Sequence, residues 1–180
     1  MLVISIIILF ILSFQVIPVA LGIDTKKEPF FQAFSGVLFL VSGQLLLFLL
    51  GIWLGNRFMH LLEGIKNYVL FIGFFLIAVR FSMEAFKVRK GERTYVMTKG
   101  STYILPAIAQ GINTFLAGVL FFFLPTSLAK EVVYLAFFAL SFSVLFALLK
   151  NKRLAYPAVS LLYLFAGGTL MAISFYFLFM

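Results

Sequence analysis

Residues 30–55 read FFQAFSGVLFLVSGQLLLFLLGIWLG, 26 consecutive positions without a charged side chain. About 20 mostly apolar residues in a helix cross the hydrocarbon core of a bilayer, so this stretch is long enough to span with some tilt. It is apolar on every side, whereas a helix on the surface of a soluble protein carries one apolar stripe. Leu2–Gly22, Tyr68–Phe86, Thr102–Leu124, Val132–Leu149 and Leu154–Phe179 read the same way. Helix is the spanning form these runs predict, because a barrel strand alternates apolar and polar residues over about ten positions and none of them does.

Composition agrees with six such runs. The 180 residues are 64% hydrophobic and 11% charged, with a mean hydropathy of +1.16. That predicts an all-α polytopic membrane protein, a single transmembrane domain over residues 1–180 with no room for a separate soluble domain. The net charge of +8 does not point to nucleic acid, because the basic residues fall in short gaps between apolar runs, where membrane proteins keep their topology signals. Cysteine is absent, which removes disulfides, thiolate ligands and cysteine nucleophiles. Met1–Phe14 has no basic region and the apolar run continues to Gly22, so it reads as a retained first helix rather than a signal peptide.

Lysine and arginine set the orientation. The first, third and fifth connections carry Lys26, Lys27, Lys87, Arg89, Lys90, Arg93, Lys99, Lys150, Lys152 and Arg153, against Arg57, Lys66 and Lys130 in the second and fourth. The positive-inside rule then puts both termini on the non-cytoplasmic side of a bacterial inner membrane. Three helices lie before the basic loop at about 88–100 and three after it, so the halves at about 1–87 and 101–180 insert in opposite senses, as the inverted repeats of secondary transporters do.

Three amides fall at similar depth within the apolar runs. At about 1.5 Å per residue from the basic ends, Gln15 lies roughly 12 Å deep, Asn113 roughly 16 Å and Gln44 roughly 20 Å, all near the midplane. An amide in hydrocarbon needs hydrogen-bond partners. With Gln110 and Ser42 these three are the candidate residues for binding a substrate or ion; the alternative is a set of interhelical locks among the amides, Ser42, Gln110 and Ser141. Pro18 and Pro106 each remove a helical hydrogen bond and would free the carbonyls of Phe14 and Thr102, and broken helices in corresponding halves mark transporter sites. Gly51 and Gly55 form a small-residue stripe for close helix contact, as do Ala107 and Gly111. Arg80 and Glu84, one turn apart, read as a charge pair within the membrane. His60 and Glu63 belong to a short outer connection with no third metal ligand nearby. No catalytic constellation occurs, and the chain does not read as an enzyme.

Taken in order, these segments resemble the six-helix manganese efflux pumps of the MntP type, related to the LysE-like exporters. Ser13–Gly22 resembles the family's first-helix motif, with Gln15 at its aspartate position; Ala33–Phe58, with Gly51, Gly55 and Arg57, resembles the second helix, with Gln44 at its acidic position. Arg80-Phe81-Ser82-Met83-Glu84 is similar to the pattern that closes the third helix. Gln110–Gly118 looks like the fourth-helix counterpart of the first motif, with Asn113 where the second aspartate belongs. The resemblance implies efflux of Mn2+ or another divalent cation through a metal site at Gln15, Gln44 and Asn113, with no bound cofactor and with the lipid bilayer and the transported ion as partners, in a chain that could assemble as a homo-oligomer. All three expected carboxylates are amides here, which supply oxygen without charge. An altered substrate, export of a neutral or zwitterionic solute, and a non-transporting scaffold or partner subunit therefore stand beside cation export.

Overall fold

The computed structural model describes residues 1–23, 30–90, 104–149 and 152–180, and every element among them is helical. Helix α1 (Leu2–Ser13) passes through a 3-10 turn, Phe14–Val16, into the short α2 (Ile17–Ala20). Helix α3 (Phe30–Phe58) leads through a 3-10 connector, Met59–Ile65, into α4 (Lys66–Arg89). Helix α5 (Ile104–Leu120) closes in a 3-10 turn, Phe121–Phe123, and is followed by α6 (Leu128–Ala147) and α7 (Lys152–Phe179). Proline sets one of these boundaries: Leu124 is extended at φ −97°, ψ 127°, because Pro125 disfavours the helical region for the residue before it.

Five stretches among the described residues are long and apolar enough to cross a membrane: Leu2–Ala20, Phe34–Arg89, Leu105–Phe123, Leu128–Ala147 and Ala155–Phe179. The second is 56 residues long and contains most of α3 and all of α4. The outward faces suit that setting. Leu46, Trp53, Phe137, Leu161 and Phe165 are each at least 60% exposed, an apolar exterior that water would penalise and lipid accepts.

The first segment is the axis of the bundle, since every residue from Ile11 to Leu21 is buried. It packs against α6, while α3 runs along α5 and α4 along α7. Edge-to-face contacts of Phe142 with Phe10 and Phe14, at centroid distances of 5.5 and 5.1 Å, seal the first of these interfaces. Between α4 and α7, Phe74 stacks on Phe177, and Ser160 Oγ donates to the Ala85 carbonyl at 2.9 Å.

Helices α3 and α5 cross at backbone contact. A Cβ on Gly51 would overlap the Phe115 carbonyl oxygen, and one on Gly118 would overlap that of Phe48. At Gly55 it would lie 2.7 Å from the Val119 carbonyl oxygen. The Gly51 and Gly55 stripe read from the sequence thus meets Gly118 on the facing helix, the close approach by which apolar helices associate where lipid offers no hydrophobic drive. Ala107 likewise sits against Gly43, and Gly111 receives Leu47.

Gly51→Leu should therefore lower stability by about 1–3 kcal/mol or more, as overpacking does, seen as a drop in the melting temperature of the detergent-solubilised protein. Gly168→Ala, which points into open space, should leave that temperature within error of the native chain.

Candidate functional site: a buried layer of amides

The centre of α3 carries Gln44, fully buried. Its Nε2 donates to the Leu12 carbonyl at 2.9 Å and to Thr114 Oγ1 at 3.2 Å. That acceptor lies where the first segment changes from α to 3-10 geometry. Thr114 Oγ1 in turn donates to Gln15 Oε1 at 3.3 Å. One turn before Thr114, Gln110 Nε2 donates to the Leu40 carbonyl at 3.2 Å, one turn before Gln44. Side chains of α5 and α3 and the broken first segment thus meet in one hydrogen-bonded layer. Asn113, beside Thr114, is buried too.

The layer is not self-sufficient. Gln44 Oε1, Gln110 Oε1 and Asn113 Oδ1 are buried without a hydrogen-bond partner, as are Gln15 Nε2 and the Ser143 hydroxyl of α6. Leaving such a group unmade costs about 1–3 kcal/mol, which a purely structural lock would avoid. What the arrangement offers chemically is several inward carboxamide oxygens, a hydroxyl and one amide donor. It offers no anion. The buried acids among the described residues are Glu84 of α4 and Glu131 of α6, and neither belongs to this network. Among the described residues no cluster of three His, Asp or Glu side chains occurs.

The structure joins Gln15 and Gln44 through Thr114, which the sequence reading passed over, with Gln110 one turn away on α5; Ser143 of α6 is a further buried hydroxyl. It does not bring Ser42. That residue is exposed on α3, because two positions from Gln44 is about 200° around a helix and so the opposite face. Ser141 fails for the same reason: it is exposed and bonds to its own helix at the Phe137 carbonyl, 2.8 Å, while Ser143 two positions on is buried. The buried phase of α6, Leu135, Ala139 and Ser143, was the signal that separates them.

The prolines behave differently from each other. Pro18 sits just after the 3-10 turn at the start of α2 and has no N–H for the Phe14 carbonyl. That carbonyl is already engaged: Ile17 N–H donates to it, and so does Tyr163 Oη from α7 at 3.0 Å. It is therefore not an open ion ligand. Pro106 lies in the first turn of α5, where a missing N–H costs no helical bond, so it does not interrupt that helix. Thr102 lies outside the described residues. Glu84 is buried with a partner of its own, and Arg80 one turn earlier is half-buried. His60 is exposed in the Met59–Ile65 connector.

A family model described as "Putative manganese efflux pump" (Mntp) matches residues 29–178, spanning α3 to α7. The chain belongs to this family. Members are membrane transporters and not enzymes, in keeping with long apolar helices around a buried polar layer. No curated protein and no solved structure matches the chain. The matched region holds Gln44, Gln110, Asn113, Thr114 and Ser143, whereas Gln15 precedes it. The amide layer itself carries no charged side chain.

Tyr163→Phe removes the hydroxyl that holds the Phe14 carbonyl and should cost about 0.6–1.7 kcal/mol, the range for polar contacts between membrane helices. Gln44→Leu, which severs α3 from both neighbours, should cost more. Ser42→Ala should be silent, all three compared by thermal unfolding in one detergent.

Proposed function

We propose that the chain is a multi-pass transporter of the manganese-efflux type, residing in a bacterial inner membrane, with the amide layer as its transport site. The observation that carries this reading is the set of unpaired oxygens, Gln44 Oε1, Gln110 Oε1, Asn113 Oδ1 and Ser143 Oγ, buried in one bundle core. A scaffold has no use for them. A substrate passing through would complete them.

Six crossings follow if α3 and α4 each span, with the 3-10 connector between them at one surface. The halves are then the first segment, α3 and α4, and α5, α6 and α7, with both termini on the non-cytoplasmic side. Helix pairing supports an inverted repeat: exchanging first with fourth, second with fifth and third with sixth spans carries the α3–α5 contact onto that of α6 with the first segment, and maps α4–α7 onto itself. Rocking of one half against the other would open the amide layer alternately to the two sides.

Mn2+ is the cargo at family level. A hard divalent ion gains most from carboxylates, and here amide oxygens and retained waters would have to replace them, so a weaker site than a carboxylate one is expected. Export of a neutral or zwitterionic solute is the second reading. It is favoured by the unpaired donor Gln15 Nε2 lying in the same layer as unpaired acceptors, a mixed set that suits a solute bearing both.

Expression in an efflux-deficient bacterium, with manganese tolerance and cell manganese as readouts, tests this. Cation export predicts protection by the native chain and greater protection by Gln15→Asp or Asn113→Asp. Protection by the acidic variants alone would remove native manganese export and leave the solute reading. No protection by any of them, in cells shown to hold the protein, would count against transport.

A further inference from the structure

A second polar site lies away from the amide layer, where α3 and α5 end and α6 begins. Asn56, Thr126 and Glu131 line a half-open cavity of about 230 Å³ there, together with apolar residues that include Ile52, Phe121 and Leu124. Three features distinguish it from an ordinary turn. Glu131 is only 5% exposed, yet its carboxylate faces a cavity whose lining contains no lysine or arginine. Thr126 Oγ1 donates to Glu131 Oε1, which fixes the carboxylate against that cavity. The 3-10 end of α5, Phe121–Phe123, also borders it, and a helix C-terminus presents carbonyl oxygens and partial negative charge. The nearest basic residues in sequence, Lys130 and Arg57, are exposed and outside the lining.

An ionised carboxylate held out of water without counter-charge is costly, and the site contains no cation of its own to offset it. What is missing is a positive ligand. The donors present are a carboxylate, a hydroxyl, a carboxamide and helix-end carbonyls, the all-oxygen set that hard divalent ions take. The space suits a partly hydrated ion as well: at a liquid share of about 30 Å³ per water, several waters fit beside it.

We propose that Glu131, Thr126 and Asn56 form a binding site for a hydrated divalent cation at the end of the bundle that carries the Met59–Ile65 connector. Glu131 supplies the charge, Thr126 holds it in place, and Asn56 and waters complete the shell. The site does not require the amide layer to be the transport path. If that layer does pass cations, this site supplies, one surface away, the anionic ligand the core lacks.

The test is Mn2+ binding to the purified full chain in lipid nanodiscs, counted by the loss of the free-ion electron paramagnetic resonance signal. The native chain should bind Mn2+ with a dissociation constant no weaker than millimolar, and Glu131→Gln should weaken it by about tenfold or more. Glu131→Asp should retain part of the affinity. Asn56→Leu, at an exposed position the fold does not depend on, should also weaken binding, and it keeps the test open if Glu131→Gln fails to insert. Native-like binding by a folded Glu131→Gln or by Asn56→Leu would overturn the proposal, as would no binding by the native chain. Binding lost in Gln44→Leu but kept in Glu131→Gln would overturn it while supporting the amide layer as a cation site. Binding lost at Glu131 in a chain that gives no manganese protection would support this site and remove the export reading.

Discussion

Inside a bilayer, a carbonyl released from its helical bond has no water to turn to, and the interior of this protein is organised by that constraint. The first segment breaks twice within a few residues, by its 3-10 turn and at Pro18. Each break is met from another helix. Gln44 of α3 reaches the Leu12 carbonyl, and Tyr163 of α7 reaches that of Phe14. The irregular stretch is thereby held from two sides, and this fixes Gln15 beside Thr114. Tyr163 is a second donor to the Phe14 carbonyl, which Ile17 N–H already engages.

Much of this was legible in the sequence. The lengths and all-round apolarity of the runs gave the helices, and Gly51 and Gly55 correctly announced a close helix crossing, because backbone contact has few sequence solutions other than glycine. Gln15, Gln44 and Gln110 were found for an equally physical reason: an amide in an apolar run must find a partner. What was not legible was which way each small polar residue points. Ser42 and Ser141 are two positions from Gln44 and Ser143, a half-turn that reverses the face, and serine is tolerated on a lipid face because it can bond back to its own helix, as Ser141 does. Pro106 lies in the first described turn of α5, and the Thr102 carbonyl it was read to free lies outside the described residues. The cavity at Glu131 arises from the meeting of three helix ends, and no local pattern marks such a meeting.

The two polar sites divide the chemistry between them. The core layer has many oxygens and no charged side chain, while the peripheral pocket has one buried carboxyl group and few oxygens. An amide layer free of carboxylates gives up strong ion capture, and it also gives up the desolvation cost that buried carboxylates carry when empty. Neutral oxygens hold a cation loosely enough to let it go, as carbonyl-lined filters do.

The glycine contact between α3 and α5 bears on how such a bundle can move. Where side chains interdigitate, helices can slide by changing rotamers, but at Gly51 and Gly118 backbone lies on backbone and there is no rotamer to change. Any movement of α3 against α5 would therefore pivot about this contact and not slide along it, which keeps Gln44 close to Thr114. The first segment is tied to this pair of helices by side-chain hydrogen bonds, 3.3 Å from Thr114 Oγ1 to Gln15 and 2.9 Å from Gln44 to the Leu12 carbonyl, which a change of rotamer can release.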